Sequence, residues 1–108
     1  SFKKLTTLNC LLVKKIISKY YKKKIVFKRP NDLLINKKKI CGILQETLIK
    51  SDQKFLILGI GINLVKSPYI KNYLTINLYE LLNKKVSTNR VTDELKKIFE
   101  IKLTKLCR

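Results

Sequence analysis

All three glycines of this chain, and one of its two prolines, fall between residues 27 and 63. They punctuate short β-branched or aromatic runs at residues 25–27, 33–35, 40–49 and 55–64. Apolar runs of this length, bounded by turn residues, read as strands. The middle third is therefore committed to a sheet, and whatever flanks it must cover that sheet.

Within this stretch, Arg29-Pro30 ends the first strand, because proline cannot donate to a ladder and holds its predecessor extended. Asn36-Lys37-Lys38 forms a tight turn, where asparagine tolerates positive φ. Gly42, inside the strand over 40–49, marks a close approach or a bulge. Residues 50–54 read as a polar loop. The run over 55–64 is the most apolar and is expected at the centre of the sheet.

The flanks are helical. Apolar residues at 5, 8, 12, 13, 16, 17 and 20 make a one-sided stripe. Thr6 or Thr7 is placed to cap its start, and the lysines at 22–24 suit its C-terminal end. After a loop from Ser67-Pro68 to Asn77, Asn77 with Glu80 resembles a capping box opening a short helix to about Leu82. A last helix starts at 87–89, with its stripe at 91, 95, 98, 99, 103 and 106. The order predicts an α+β fold with a mixed, mainly antiparallel sheet and helices on one face. A chain of 108 residues holds one domain at most.

The formal net charge is +18, almost all of it lysine; arginine occurs only at 29, 90 and 108. Such a charge suits nucleic acid or another polyanion. The lysines are nonetheless spread along the whole chain, without an aromatic–basic surface or a recognition motif. A lysine-for-arginine and isoleucine-for-valine bias is also what an A+T-rich coding sequence produces, which weakens the charge as a functional signal. Cys10, Cys41 and Cys107 lack metal-ligand spacing, and the chain has no histidine to complete a zinc site or serve a serine triad. No segment has the ~20 uninterrupted apolar residues of a membrane span. Reduced thiols and the lack of a signal peptide make a cytoplasmic protein the expectation.

Lys28, Asn31, Asp32 and Lys39 flank a strand–turn–strand and can converge on one edge of the sheet. Ammonium groups neutralise phosphate, an amide reads a purine edge, and a carboxylate can hold Mg²⁺. Gly42, Gly59 and Gly61 let a backbone meet a ligand without a Cβ between them. Taken alone, Pro30-Asn31-Asp32 is more often an ordinary turn beside solvated lysines. Gly59-Ile60-Gly61 alone is equally weak, for no third glycine completes a dinucleotide fingerprint.

Together these pieces resemble a known family. Lys28-Arg29-Pro30-Asn31-Asp32, then Lys39-Ile40-Cys41-Gly42-Ile43-Leu44-Gln45-Glu46, then Gly59-Ile60-Gly61-Ile62-Asn63 are similar, in order and spacing, to the biotin–protein ligase catalytic domain. The resemblance implies a class II synthetase-like fold and a two-step reaction. Biotin and ATP would give biotinyl-5′-AMP, and the biotinyl group would pass to a lysine of a biotin carboxyl carrier domain, as in acetyl-CoA carboxylase. By this resemblance Lys39 is the catalytic residue and contacts biotin together with Gly42 and Leu44. Lys28, Asn31, Asp32, Gly59, Gly61 and Asn63 would hold ATP or the adenylate, and Asp32 would hold Mg²⁺. A lipoate ligase of the same superfamily and a basic nucleic-acid-binding module are the competing readings.

The chain departs from the family pattern at Arg29, where tryptophan is usual. The family's Gly-Arg-Gly-Arg-x-Gly-Arg loop, its small C-terminal domain and any helix-turn-helix are also missing. Residues 1–108 are thus expected to be the second half of the catalytic domain, as a fragment or an inactive remnant, with sheet edges left open.

Overall fold

The computed structural model describes residues 2–106, with side chains through residue 100. Helix α1 spans Phe2–Ile17 and is followed by strands β1 (Val26–Lys28), β2 (Asp32–Ile35), β3 (Lys38–Lys50) and β4 (Gln53–Ile62). Helices α2 (Leu78–Leu82) and α3 (Thr88–Leu106) complete the chain. The strands form one antiparallel sheet in the order β1-β2-β3-β4. This is the α+β arrangement that the sequence implies.

Helix α1 begins ahead of its apolar stripe. Thr6 and Thr7 are not caps: their hydroxyls donate to the carbonyls of Phe2 and Lys3 at 3.0 and 3.2 Å, the i−4 back-bond open to a hydroxyl within a helix. Two further N-termini follow the sequence closely. Asn77 accepts from the Glu80 N–H at 2.8 Å to open α2, and Ser87 Oγ accepts from the Arg90 N–H at 3.2 Å to open α3.

Both hairpins turn on two residues with positive φ: Asn36 and Lys37 at 52° and 65°, and Ser51 and Asp52 at 53° and 63°. Left-handed pairs match the right-handed strand twist. The expected five-residue loop at 50–54 is therefore only Ser51 and Asp52. The polar residues on either side of them are strand residues of an exposed hairpin arm. The bulge predicted at Gly42 lies instead between Leu33 and Leu34, where the β2–β3 register shifts.

Leu33 and Ile35 of β2, with Cys41, Ile43 and Gln45 of β3, are buried against Cys10, Val13, Ile16 and Ile17 of α1. Alternate residues of a strand share a face. The β3–β4 register continues that face through Ile60 and Leu58, which pack on the same core beside Leu95 and Phe99 of α3. A buried polar pair fixes α1 on this layer: Asn9 Nδ2 donates to Gln45 Oε1 at 2.6 Å, and Gln45 Nε2 donates to the Phe2 carbonyl at 3.2 Å. At the far end of α1, Tyr20 donates to Glu94 of α3 and Lys19 pairs with Glu94 at 3.0 Å. These contacts, the Tyr20 hydrogen bond first, hold the Glu94 carboxyl below its ordinary pKa.

Strand β4 is an edge, not the centre of the sheet. Its apolarity suggests a strand covered on both sides, yet Phe55, Leu56 and Ile57 are exposed. The stripe positions 103 and 106, and Cys107, lie outside the described side chains.

Cys10 and Cys41 are buried. Burial, with a smaller contribution from Cys10, pushes the Cys41 thiol up to about 12. The folded chain thus keeps a proton that the unfolded chain releases near pH 9, so stability is lost as pH rises from about 9 to 12. Urea midpoints measured at pH 8 and pH 10 should fall more steeply for the natural chain than for Cys41→Ala, in which the lysines are unchanged.

Candidate functional site

The strand register lays one row of residues across the sheet. Lys28 of β1 is opposite Asp32 of β2, Asp32 opposite Gly42 of β3, and Gly42 opposite Gly61 of β4. In the next row of the same face, Leu44 is opposite Gly59. This face points away from α1. With glycine on both central strands its middle is nearly bare backbone, the floor of a cleft of about 640 Å³.

Lys39, near the start of β3, runs its side chain over that floor. Its Nζ lies 3.2 Å from Asp32 Oδ1, and both side chains are only partly exposed. A Cβ on Gly42 would sit 2.9 Å from Lys39 Cε and 3.0 Å from Nζ. Glycine is required there for space rather than for backbone freedom, since none of the three glycines has a positive φ.

The main chain of Lys39 is held on its other side. Its N–H donates to the Leu74 carbonyl at 2.8 Å, and its carbonyl accepts from the Ile76 N–H at 3.0 Å. Residues 74–76 therefore run beside β3 where β4 has ended, through a parallel bridge between Lys39 and Thr75. Asn63 locks this junction. Its side-chain amide donates to the carbonyls of Lys39 and Ile76 at 3.2 and 3.1 Å, and its main-chain N–H to Ile40 at 2.9 Å.

Asn63 thus braces Lys39 from behind and does not line the cleft. Asn63→Ala leaves the Ile76 carbonyl without its side-chain donor and should destabilise the fold by about 1–3 kcal/mol, read from urea unfolding. Asn31 does line the cleft, but its amide nitrogen is committed to the Ile43 carbonyl at 2.6 Å while its own carbonyl accepts from the Ile43 N–H at 3.0 Å. It extends the β2–β3 ladder.

Lys28, Asp32 and Lys39 come together across the face of the sheet rather than at one edge. Lys28 reaches the far wall, its Nζ 5.5 Å from the centre of the Tyr73 ring, within cation–π range. Tyr73 and Ile70 complete that wall. The sequence reading treats 68–77 as a connection and names neither. The only signal for Tyr73 is a half-exposed aromatic in an otherwise polar segment, which many loops carry.

Two ammonium groups, one carboxylate and a floor without Cβ atoms suit an anionic, flat-sided ligand. They do not suit a resident cation. Asp32 is already paired with Lys39, and among the described residues no group of three His, Cys, Asp or Glu side chains could hold a metal ion. Nor is any helix among them long and apolar enough to cross a membrane.

A comparison with curated protein sequences yields no match. Solved structures do match. Biotin protein ligase from Aquifex aeolicus in complex with biotin and ATP is 29% identical, with a TM-score of 0.75 over 93% of this chain and 43% of that one. The apo form of the Aquifex aeolicus enzyme gives 28% identity and a TM-score of 0.76 over 95% of this chain and 46% of that one. LipL1 of P. falciparum in complex with lipoate shares the fold, at 22% identity and a TM-score of 0.61 over 87% of this chain and 30% of that one. The chain spans less than half the length of these proteins. The biotin/lipoate A/B protein ligase family profile matches residues 3–63, from α1 through the whole sheet to Asn63, and on that match the chain belongs to this family of ligases.

Proposed function

We propose that the chain carries the Lys39-bearing wall of a biotin–protein ligase site, where biotin and ATP become biotinyl-5′-AMP and the biotinyl group passes to a carrier domain. The observation that supports this most is the Lys39 ammonium lying over the Gly42–Gly61 floor, tethered by Asp32. The Aquifex aeolicus enzyme to which the chain is similar has been solved with biotin and ATP.

In the first step a biotin carboxylate oxygen attacks the α-phosphorus of ATP, the bond to the β-phosphate oxygen breaks, and pyrophosphate leaves. Negative charge gathers on the α-phosphate oxygens as the bond forms. Lys39 would donate to them and to the biotin carboxylate, exchanging Asp32 for the ligand. A fixed cation aimed at developing charge is among the larger contributions available to an enzyme. Asp32 would hold the ammonium in place before the ligand arrives, so that little reorganisation accompanies reaction. Lys28, on the far wall, would neutralise phosphate. In the second step the amine of an acceptor lysine attacks the biotinyl carbonyl carbon, AMP leaves, and the amine loses a proton.

On this reading the glycine floor with Leu44 receives the biotinyl group and the Gly59–Gly61 segment the adenylate, with Asn31 and Asn63 acting through the backbone they brace. The acceptor is a lysine of a biotin carboxyl carrier domain. Calorimetry with a non-hydrolysable biotinyl-adenylate analogue tests binding by the chain directly. Saturable binding that lipoyl-adenylate analogue competes for only weakly is the expected result. Preference for the lipoyl compound would move the assignment within the family, and absence of binding to either would remove it.

A further inference from the structure

The helical layer reaches further than the sheet that covers it. Leu5, Leu8 and Leu12 of α1 and Leu95 and Phe99 of α3 continue past the open edge of β4, and with Leu58 they line an apolar groove of about 360 Å³. Leu8 is 44% exposed and Leu56, at the groove's rim, 41%. Above this groove the outer N–H and C=O groups of β4 face away from β3, since β4 ends the sheet. Open ladder groups beside an apolar floor make a template for one more strand.

We propose that the β4 edge and the groove below it receive an added β-strand, supplied by the part of the biotin/lipoate ligase fold that this chain does not span. The strand would bond its main chain to β4 and turn alternate apolar side chains down onto Leu8, Leu58 and Phe99. The similar Aquifex aeolicus structures are matched over at most 46% of their length while covering 93–96% of this chain, so more than half of such a protein is available to supply it. A second copy of this chain is the weaker occupant. Two chains of net charge +18 repel one another, whereas β4 carries a single charged residue, Lys54, among its ten. The inference rests on family membership and not on the biotin reading, so docking and adenylate binding can fail separately.

The 108-residue chain can be co-expressed with a tagged polypeptide comprising the portion of Aquifex aeolicus biotin protein ligase that it does not match. The proposal expects a one-to-one complex by light scattering. Hydrogen exchange at β4 amides should slow at least about tenfold relative to the chain alone, with β2 unchanged. Leu58→Glu should abolish co-purification while leaving the helical circular dichroism and the β2–β3 protection intact. Failure to co-purify would overturn the proposal, as would a complex that survives Leu58→Glu. A homodimer of the chain alone with β4 protected would overturn it in favour of self-pairing.

Discussion

Replacing Lys39 with alanine is expected to weaken binding of a biotinyl-adenylate analogue about 10- to 100-fold, the scale of a charge-assisted hydrogen bond of about 1.5–3 kcal/mol. In a complete ligase assembly, adenylate formation should fall more, by about 10²–10³-fold, because the ammonium meets more charge in the transition state than in the ground state. The fold should survive. Lys39 is held through its main chain by Leu74, Ile76 and Asn63, and none of those bonds uses the side chain. The side chain's one ion pair, with Asp32, is partly exposed and contributes at most about 1 kcal/mol after solvent screening. Calorimetry and single-turnover adenylation check the two halves of this expectation. Unchanged affinity and unchanged rate would deny Lys39 its role.

Gly42→Val is expected to reach a similar loss by a different route. The new Cβ would fall 2.9 Å from Lys39 Cε, closer than carbon atoms approach without contact strain. The obstructing atoms belong to the far end of a flexible side chain, so the lysine swings aside and the stability change stays within about 1 kcal/mol; valine is moreover favoured in strands. What is lost is the position of the ammonium beside Asp32. Analogue affinity should drop about tenfold or more, with a urea midpoint near that of the natural chain. Because both substitutions act on the same ammonium, they should not add: Gly42→Val introduced into Lys39→Ala should cost much less than it does alone. Full additivity would mean that Gly42 contributes only through the shape of the floor.

The sequence states several elements without ambiguity because each has a local cause. Asn77 and Ser87 cap helices through bonds to a residue three positions on, and Asn36 marks a turn through its tolerance of positive φ. The stripe from Leu5 onward is amphipathic whatever it packs against. Local causes also misled. Thr6 and Thr7 look like caps, but a hydroxyl can return to its own helix four residues back. Lys50 and Lys54 look like loop, but they are the solvated ends of two strands joined by Ser51 and Asp52. The apolarity of 55–62 looks like a central strand, yet β4 stands at an edge with its groove uncovered among the described residues. Apolar composition measures what a strand is fit to be buried by, not whether this chain supplies it.

For the site, the sequence by itself determined the residue types and their order: two lysines, a carboxylate, two asparagines and three glycines in motifs spaced like those of the biotin ligases. It could not assign their directions. Only the register decided that Lys28, Asp32, Gly42 and Gly61 form one row, and that Gly42 leaves room for the Lys39 side chain to cross to Asp32. The tertiary structure alone turned Asn63 inward to brace Lys39 and brought Tyr73 to face Lys28. The physical reason is that the side-chain period of a strand is two. Spacing along one strand fixes which residues share a face, while the partners across the ladder depend on hairpin turns and bulges, such as the one between Leu33 and Leu34, whose geometry is settled only when the strands pair.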